Sequence, residues 1–289
     1  MMKKLILVIT IISSMVKVYS QDLCAPIWAL GYGCGKTGTS YWFFDPFSDG
    51  VPLRIGFSGY MEDYPHQYAN IPWKNAKYSE IRIEDGVKHI GDYAFSNSPA
   101  TQVKIENGVK TIGVAAFMNS NLHRVTIGKG VVTIGASAFR GCEKLKEVTF
   151  ERNVKTIGSY AFYGCINLES LDTGNSVDTI FRQAFEVCKS LKSVIIGDGV
   201  TIIGGSAFAE CEALTSLTLG RNVKDIRFFA FLNCRSLSSI TSKNPVPPVL
   251  DGSFYGVDKD NCIVKVPKSA VAAYKAADYW SDFKNIVGE

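Results

Sequence analysis

The sequence has little excess charge of either sign. It contains 31 lysines and arginines against 27 aspartates and glutamates. Three of these lysines lie in an N-terminal segment that we expect to be removed, and 31 less 3 leaves 28 basic residues against the 27 acidic ones. Nucleic-acid surfaces and polybasic membrane surfaces both need clustered positive charge. The composition therefore predicts that the partner is neither a nucleic acid nor a membrane surface.

Histidine is scarce, and the sequence shows no catalytic or metal-binding pattern. His66, His89 and His123 are scattered, and no carboxylate or cysteine recurs with His89 or His123 at the spacing of a metal site or a general base. Aspartate and glutamate are spread over variable positions, so no pair of carboxylates stands out. We therefore expect no enzyme activity, no cofactor and no bound metal.

A glycine-rich stretch, residues 31–39, has a superficial likeness to a phosphate-binding loop. That motif requires a glycine at position 30, where Leu30 stands, and a helix directly after the loop. The sequence has no helical pattern there. We expect this stretch to be a loop of an N-terminal cap.

The first twenty residues have the layout of a secretory signal peptide. Two lysines precede an apolar run, residues 5–16, and the segment Val18-Tyr19-Ser20 then gives the small-residue region that precedes a cleavage site. The run is shorter than the roughly 20 residues that span a bilayer. Asp22 does not fit a lipid-attachment site at Cys24, and the C-terminus has no lipidation motif. We expect cleavage after Ser20 and a secreted or cell-surface protein with no membrane span in the mature chain.

A phenylalanine recurs every 22 or 23 residues through most of the chain. Alanine precedes it in the first seven turns, and Ile-Gly stands a few residues upstream in most of them. Apolar residues such as Leu217 and Leu219 alternate in a short segment of each turn, which is typical of a strand. One turn cannot bury its apolar face alone, so successive turns must stack on a shared core. The recurring residues are Phe95, Phe117, Phe139, Phe162, Phe185, Phe208, Phe231 and Phe254.

This repeat resembles that of the BspA-like leucine-rich repeats, whose 23-residue unit reads Ile-Gly-x-x-Ala-Phe-x-x-Cys-x-x-Leu-x-x-Val-x-Ile. Residues 134–139, Ile-Gly-Ala-Ser-Ala-Phe, are one example. The resemblance implies an α/β repeat solenoid, a leucine-rich-repeat horseshoe of about eight turns with a parallel β ladder. The segments around Trp73 and Pro267 resemble the end pieces of the family.

Caps are expected at both ends, because an uncovered terminal turn would expose core and an unpaired strand edge. We predict an N-terminal cap over residues 21–78, with a β-hairpin of about residues 41–47 and 52–57. The repeats would occupy residues 79–244. The last turn and a C-terminal cap would occupy residues 245–289, with Ser269 capping a short helix.

Two kinds of departure from the repeat predict local differences. Ser98 and Ser120 stand where later turns have cysteine, so we expect those turns to be looser. Phe181 and Arg227 replace the glycine that usually follows isoleucine, so we expect local irregularity there.

Five of the eight cysteines follow one another at steps of 23 residues. A line with one thiol per turn cannot surround a tetrahedral ion, so we expect buried free thiols that act as small apolar residues. Cys262 should be buried in the C-terminal cap. Cys24 and Cys34 are close in sequence in an exported segment, and both a disulfide and free thiols remain open for them. The five in steps are Cys142, Cys165, Cys188, Cys211 and Cys234.

The outward positions of the strands form a file of mostly short, polar side chains. Such residues are ordinary on a solvated sheet face, but the rigid, extended surface of a solenoid favours a binding role. The family resemblance implies adhesion or binding of a host or extracellular protein, here by a monomer. The predicted contact residues are Arg124, Thr126, Glu147, Thr149, Ser170, Asp172, Ser193, Ile195, Ser216 and Thr218, and the file continues to Ser239 and Thr241.

Two other surfaces are alternatives to this file. The convex side, which carries Lys110, Lys155 and Lys224, is expected to consist of turns. The aromatic-rich N-terminal cap, which includes Trp28 and Trp42, is the alternative site, and it would suit a glycan-binding or enzyme-accessory protein.

Overall fold

The computed structural model describes residues 33–44, 52–56, 59–67, 71–74 and 76–289. The predicted signal peptide and Cys24 lie outside the described residues, and so does the side chain of Cys34. No helix of the described part is long and apolar enough to cross a membrane.

The described chain is built almost entirely of short strands. In chain order these are β1 (Gly33–Thr37), β2 (Ser40–Phe44), β3 (Leu53–Gly56), β4 (Gly59–Tyr60), β5 (Glu80–Ile83), β6 (Val87–Ile90), β7 (Gln102–Ile105), β8 (Thr111–Ile112), β9 (Arg124–Ile127), β10 (Thr133–Ile134) and β11 (Glu147–Phe150). They continue with β12 (Thr156–Ile157), β13 (Ser170–Asp172), β14 (Thr179–Ile180), β15 (Ser193–Ile195), β16 (Ile202–Ile203), β17 (Ser216–Leu219), β18 (Asp225–Ile226), β19 (Ser239–Ser242), β20 (Val249–Leu250), β21 (Ile263–Val266) and β22 (Asn285–Gly288).

The strands form two parallel ladders that run along the solenoid. The main ladder consists of the longer strands, in the order β1-β2-β3-β5-β7-β9-β11 and then β13-β15-β17-β19-β21-β22. The second ladder contains nine strands, from β4 through the even-numbered strands to β20. Each turn contributes one strand to each ladder, and apart from the two antiparallel contacts of β2 every strand pair in them is parallel. The predicted solenoid is confirmed.

The recurring phenylalanines form a continuous column of rings in the core. All seven contacts between successive rings are stacked, with centroids 5.0–5.2 Å apart and interplanar angles of 1–13°. Trp73 stacks on Phe95 at one end, with centroids 5.2 Å apart, and Trp280 covers Phe254 at the other, at 5.7 Å. The column therefore closes on a tryptophan at each end.

The five predicted cysteines lie buried beside this column as free thiols. They do more than fill space, because each thiol donates a hydrogen bond to the phenylalanine carbonyl of the preceding turn; Cys142 Sγ, for example, lies 3.1 Å from the oxygen of Phe117. Ser120 is buried in the same way and donates to the oxygen of Phe95 at 2.8 Å. The turn with Ser120 is therefore bonded like its neighbours, contrary to the expected loosening.

The backbone around each phenylalanine alternates in conformation. In all eight turns, the residues two before and two after the phenylalanine have a positive φ. This alternation turns every second N–H toward the next turn, as where Phe117 N donates to the oxygen of Ala138 at 2.7 Å. The positive-φ positions are Tyr93, Ala115, Ser137, Tyr160, Gln183, Ser206, Phe229 and Gly252 before the ring, and Asn97, Asn119, Gly141, Gly164, Val187, Glu210, Asn233 and Gly256 after it.

The expected irregularity at Phe181 and Arg227 is absent from the backbone. The N–H of each donates to the preceding turn as the usual glycine does, at 3.0 Å to the oxygens of Ile157 and Ile203. The adjacent strands β14 and β18 stay in register with β16. The larger side chains are accommodated by pointing outward, since both residues are exposed.

The caps agree with the sequence in outline and differ in detail. β2 and β3 form the predicted antiparallel pair, but residues 33–37, expected to be loop, form β1 and add a further antiparallel strand. At the C-terminus a short 3₁₀ segment, Lys268–Ala270, precedes the helix α1 (Val271–Ala276). Ala270 is the N-cap of α1 and makes no side-chain cap bond, so the prediction that Ser269 caps this helix was wrong.

Candidate binding surface

The predicted contact residues lie on the outer face of the main ladder. Their inward neighbours, such as Val125 and Val194, are buried, whereas the outward residues are exposed except for Ser193 and Thr218, which are half-buried. Because the strands pair in register, the outward residues form rows that run along the ladder from strand to strand. One such row is Ser170, Ser193, Ser216 and Ser239. The alternation of the sequence thus places the side chains on the outer face, as predicted.

The main ladder is interrupted near its middle. β11 and β13 are neighbours in the fold but are not paired as strands. At the core position that is isoleucine or leucine in most other turns, β11 has the large Phe150, half-buried against the Phe162 ring, and the next turn has Thr173. Asp172 also accepts a bond from the N–H of Gly174 at 2.8 Å, which ends β13 early. The interruption divides the outer face into two parts.

The part before the interruption, from β3 to β11, is the charged half of the ladder. Eight of its outward side chains form four ion pairs, with nitrogen–oxygen distances of 2.6–3.5 Å. The file predicted from the sequence begins at Arg124 and lacks the earlier members of this half, although they occupy the same alternate positions. The pairs are Arg54–Glu84, Arg82–Glu80, Lys104–Glu106 and Arg124–Glu147.

The part after the interruption, from β13 to β19, is the hydroxyl half of the ladder. Six of its eight outward residues are serine or threonine, Asp172 is the only charged one, and no ion pair between described residues involves the eight. Ile195 is 44% exposed at the centre of this half. The surface is therefore low in relief, weakly charged and partly apolar, which suits contact with larger side chains of a protein.

The side that carries Lys110, Lys155 and Lys224 is not made of turns alone. Each of these lysines directly precedes a strand of the second ladder, β8, β12 or β18. That ladder presents its own outward column, in which Thr111, Thr133, Thr156 and Thr179 follow one another in register. The expectation of a side built of turns was wrong, because strands of two residues are too short to show alternation.

His89 takes part in the only cluster in the described residues that resembles a metal site. One ligand atom each from Asp63, His89 and Asp92 lies within 4.8 Å of the others. Both ring nitrogens of His89 already have partners, Asp63 at 3.0 Å and Thr111 at 2.6 Å. Burial alone would raise the pKa of Asp63, but bonds from the Asp92 N–H and from His89 lower it overall. The geometry describes a hydrogen-bond network between neighbouring turns.

The described aromatic residues of the N-terminal cap cover the end of the core. Trp42 is half-buried, with its ring centroid 6.1 Å from that of Trp73, and Tyr64 is buried 6.3 Å from the same ring. Of Trp42, Tyr60 and Tyr64, only Tyr60 is exposed, and Trp28 and the side chains of Tyr41, Phe43 and Phe44 lie outside the described part. The arrangement supports capping rather than an aromatic platform for a glycan.

These features define a leucine-rich-repeat solenoid. The family model of the BspA type leucine rich repeat region matches this chain in six copies, over residues 70–192 and 178–265. The chain therefore belongs to the BspA-type leucine-rich-repeat family. Among curated proteins, none matches it.

Several solved structures are similar to this chain. A leucine-rich-repeat protein of T. pallidum is 22% identical, with a TM-score of 0.45, over 69% of this chain and 77% of that one. A leucine-rich-repeat protein of Bacteroides ovatus is 18% identical, with a TM-score of 0.39, over 86% of both chains. The pneumococcal vaccine antigen PcpA is 16% identical, with a TM-score of 0.36, over 89% of this chain and 98% of that one. At these identities the likeness concerns the fold and carries no information on a ligand.

Proposed function

We propose that this protein is an exported, non-catalytic binding module that attaches to a protein partner through the main ladder, from Glu147 to Thr218. The observation that carries the proposal is the hydroxyl half of the ladder. Strands hydrogen-bonded in register hold its side chains about 4.8 Å apart on a fixed sheet, so little conformational entropy is lost when a partner binds. The short side chains leave room for larger ones on the partner.

The export part of the proposal rests on the N-terminal sequence, which has the layout of a signal peptide. Cross-linking on intact cells, followed by fractionation and pulldown, tests location and partner together. Recovery of the protein in the cytosolic fraction, with its first twenty residues intact, would contradict export.

The binding face is tested by placing bulky charge in the middle of the hydroxyl half. Ser193→Arg combined with Ser216→Glu should abolish capture of the cross-linked partner, because both side chains stand on the outer face. The melting temperature should stay almost unchanged, since substitutions at such surface positions have small effects on stability.

The matched control places charge changes on the second ladder. Lys155→Glu combined with Lys224→Glu should leave capture unchanged, as both lysines precede strands of the other face. If the lysine pair abolishes capture and the serine pair does not, the partner binds the second ladder and the proposed face is wrong.

A further inference from the structure

We propose that a basic groove beside the start of β7, β9 and β11 binds a sulfated polysaccharide. The groove has a volume of about 610 Å³, and its cationic lining consists of Arg124, Lys144 and Lys146, with His123 beside them. This ligand is additional to the protein partner proposed above.

The backbone sets the spacing of the groove residues along the solenoid axis. His123 N donates to the oxygen of Thr101 at 2.7 Å, and Lys146 N donates to the oxygen of His123 at 2.9 Å. His123 and Lys146 therefore occupy equivalent positions on successive turns, about 4.8 Å apart. Arg124 and Lys144 flank them, so positive groups from two turns line one groove.

The two lysines of the groove form no ion pair, as is true of most lysines of the described residues, of which only four form one. Lys104, Lys155, Lys189 and Lys259 each have a carboxylate within ion-pair distance. No carboxylate of the described residues lies that close to Lys144 or Lys146. The one ion pair in the groove, Arg124 with Glu147 at 3.5 Å, is between side chains 79% and 57% exposed, and such a pair is weak enough for Arg124 to turn to an anion. The groove therefore presents unneutralised positive charge.

The remaining lining residues narrow the class of anion. Thr101, Gln102 and Asn167 add neutral hydrogen-bonding groups, which match the hydroxyls of a sugar. No phenylalanine, tyrosine or tryptophan lines the groove, and His123 supplies its one ring, so a single-stranded nucleic acid would lack a run of surfaces on which to stack successive bases. A sulfated sugar chain offers both oxyanions for the ammonium and guanidinium groups and hydroxyls for the neutral ones.

The groove also suits a chain rather than a small ion. It is open, and it adjoins a second groove of about 360 Å³ on the outer face of the main ladder. Gln102 and Arg124 line both of them. The second groove also carries Glu80, Glu106 and Glu151, which repel a polyanion, so the sulfated units should lie in the basic groove. A single sulfate would use only a fraction of its volume.

The test compares dextran sulfate with dextran of the same length, which differ only in the anionic groups, by titration calorimetry. We expect dextran sulfate to bind, with an affinity that falls as salt is raised, and dextran not to bind. Lys144→Glu combined with Lys146→Glu should weaken binding of dextran sulfate by about tenfold or more. Lys224→Glu combined with Lys243→Glu, which changes two lysines of a different open groove of about 840 Å³, should change the affinity by less than about twofold.

Thermal unfolding of both double variants should match that of the parent protein, which separates loss of binding from loss of fold. Lys144→Gln with Lys146→Gln provides a milder variant of the same site. The proposal is overturned if dextran sulfate does not bind, if the two lysine pairs reduce binding equally, or if polyglutamate binds as tightly as dextran sulfate, which would indicate an acidic peptide. Binding of dextran sulfate by the Ser193→Arg, Ser216→Glu variant separates this site from the proposed protein-binding face.

Discussion

The charged half and the hydroxyl half of the main ladder share one backbone plan and differ in their outward side chains. In the charged half, neighbouring cations and anions satisfy one another. In the hydroxyl half the outward groups are small and form no ion pairs among the described residues, so a partner loses little by displacing water from them. The repeat fixes where side chains stand, and the variable positions decide what each stretch of the same ladder presents.

Both halves of the ladder rest on one core. Phe139 supports the charged half and Phe208 the hydroxyl half, and both rings are fully buried between two stacked neighbours. Phe139→Ala and Phe208→Ala should each lower the free energy of unfolding by about 3–5 kcal/mol. Urea unfolding should show one transition in each case, and two separate transitions would mean that the halves fold independently.

The buried position three residues after the phenylalanine is serine in the first two turns and cysteine in the next five. The buried thiols should make the stability of the fold sensitive to high pH. Burial raises the pKa of Cys188 and of Cys234 from 9.0 to about 12. Between these values the unfolded chain has lost the thiol proton and the folded chain has kept it, so stability is unaffected below pH 9 and falls as pH rises above it. The loss should approach about 1.4 kcal/mol per pH unit for each thiol.

Urea unfolding under reducing conditions from pH 8 to pH 11 measures this loss. Cys188→Ser combined with Cys234→Ser is the control, since Ser120 already occupies an equivalent position. This variant should show a shallower decline. An unchanged slope would assign the decline to other groups.

The positive-φ positions give a smaller contrast between the halves. After the phenylalanine, the charged half has Asn97, Asn119 and Gly141, which tolerate this conformation, whereas the hydroxyl half has Val187 at φ +61°. A β-branched residue is strained there. Val187→Asn should therefore raise the free energy of unfolding by about 1 kcal/mol, and Asn119→Val should lower it by a similar amount. Equal stability of Val187→Asn and the parent would show that the surroundings of Val187 compensate the strain.

The smallest effect is expected from the ion pairs of the charged half. Arg54 and Glu84 are 3.2 Å apart, with side chains about a third exposed. Arg54→Gln should lower the free energy of unfolding by about 1 kcal/mol or less, and the difference should shrink in high salt. Thermal unfolding at low and high ionic strength measures it. A decrease in the free energy of unfolding well above this size that persists in high salt would mean that these ion pairs contribute substantially to the stability of the fold.

The sequence predicted features that recur and missed those without a residue signature. The phenylalanine column and the main ladder follow from the 22- or 23-residue spacing and the alternation within each strand. The second ladder was not predicted because each of its strands has only two residues, too few to show an alternation with a period of two. The positive-φ positions escaped because Tyr160 and Val187 are residue types that seldom adopt them. β1 was missed because glycine is depleted in strands, and pairing with β2 overrides that preference.

Of the candidate surface, the sequence predicted which side chains face outward, and the structure added how they are grouped. The interruption at Phe150 and Thr173 depends on the sizes of two core residues in adjacent turns, which a per-turn pattern does not compare. The basic groove depends on residues from different turns meeting at one place, as Arg124 and Lys146 do. Such relations arise only once the turns are stacked.

The near-identity of the turns also bears on how the chain finds its register while folding. Because successive rings stack at almost the same distance throughout, a chain that looped out one whole turn could still stack Phe139 on Phe185 and continue the column. Such a misfolded chain would resemble the native one everywhere except at the omission, so local contacts alone correct it poorly. Trp73 and Trp280 differ from every ring between them. The indole N–H of Trp73 donates to the carbonyl of Ala94, and that of Trp280 donates to the carbonyl of Pro248, so each tryptophan has one particular partner at its end of the column. The caps should therefore disfavour misfolded states in which the column of rings is continuous but one repeat is left out.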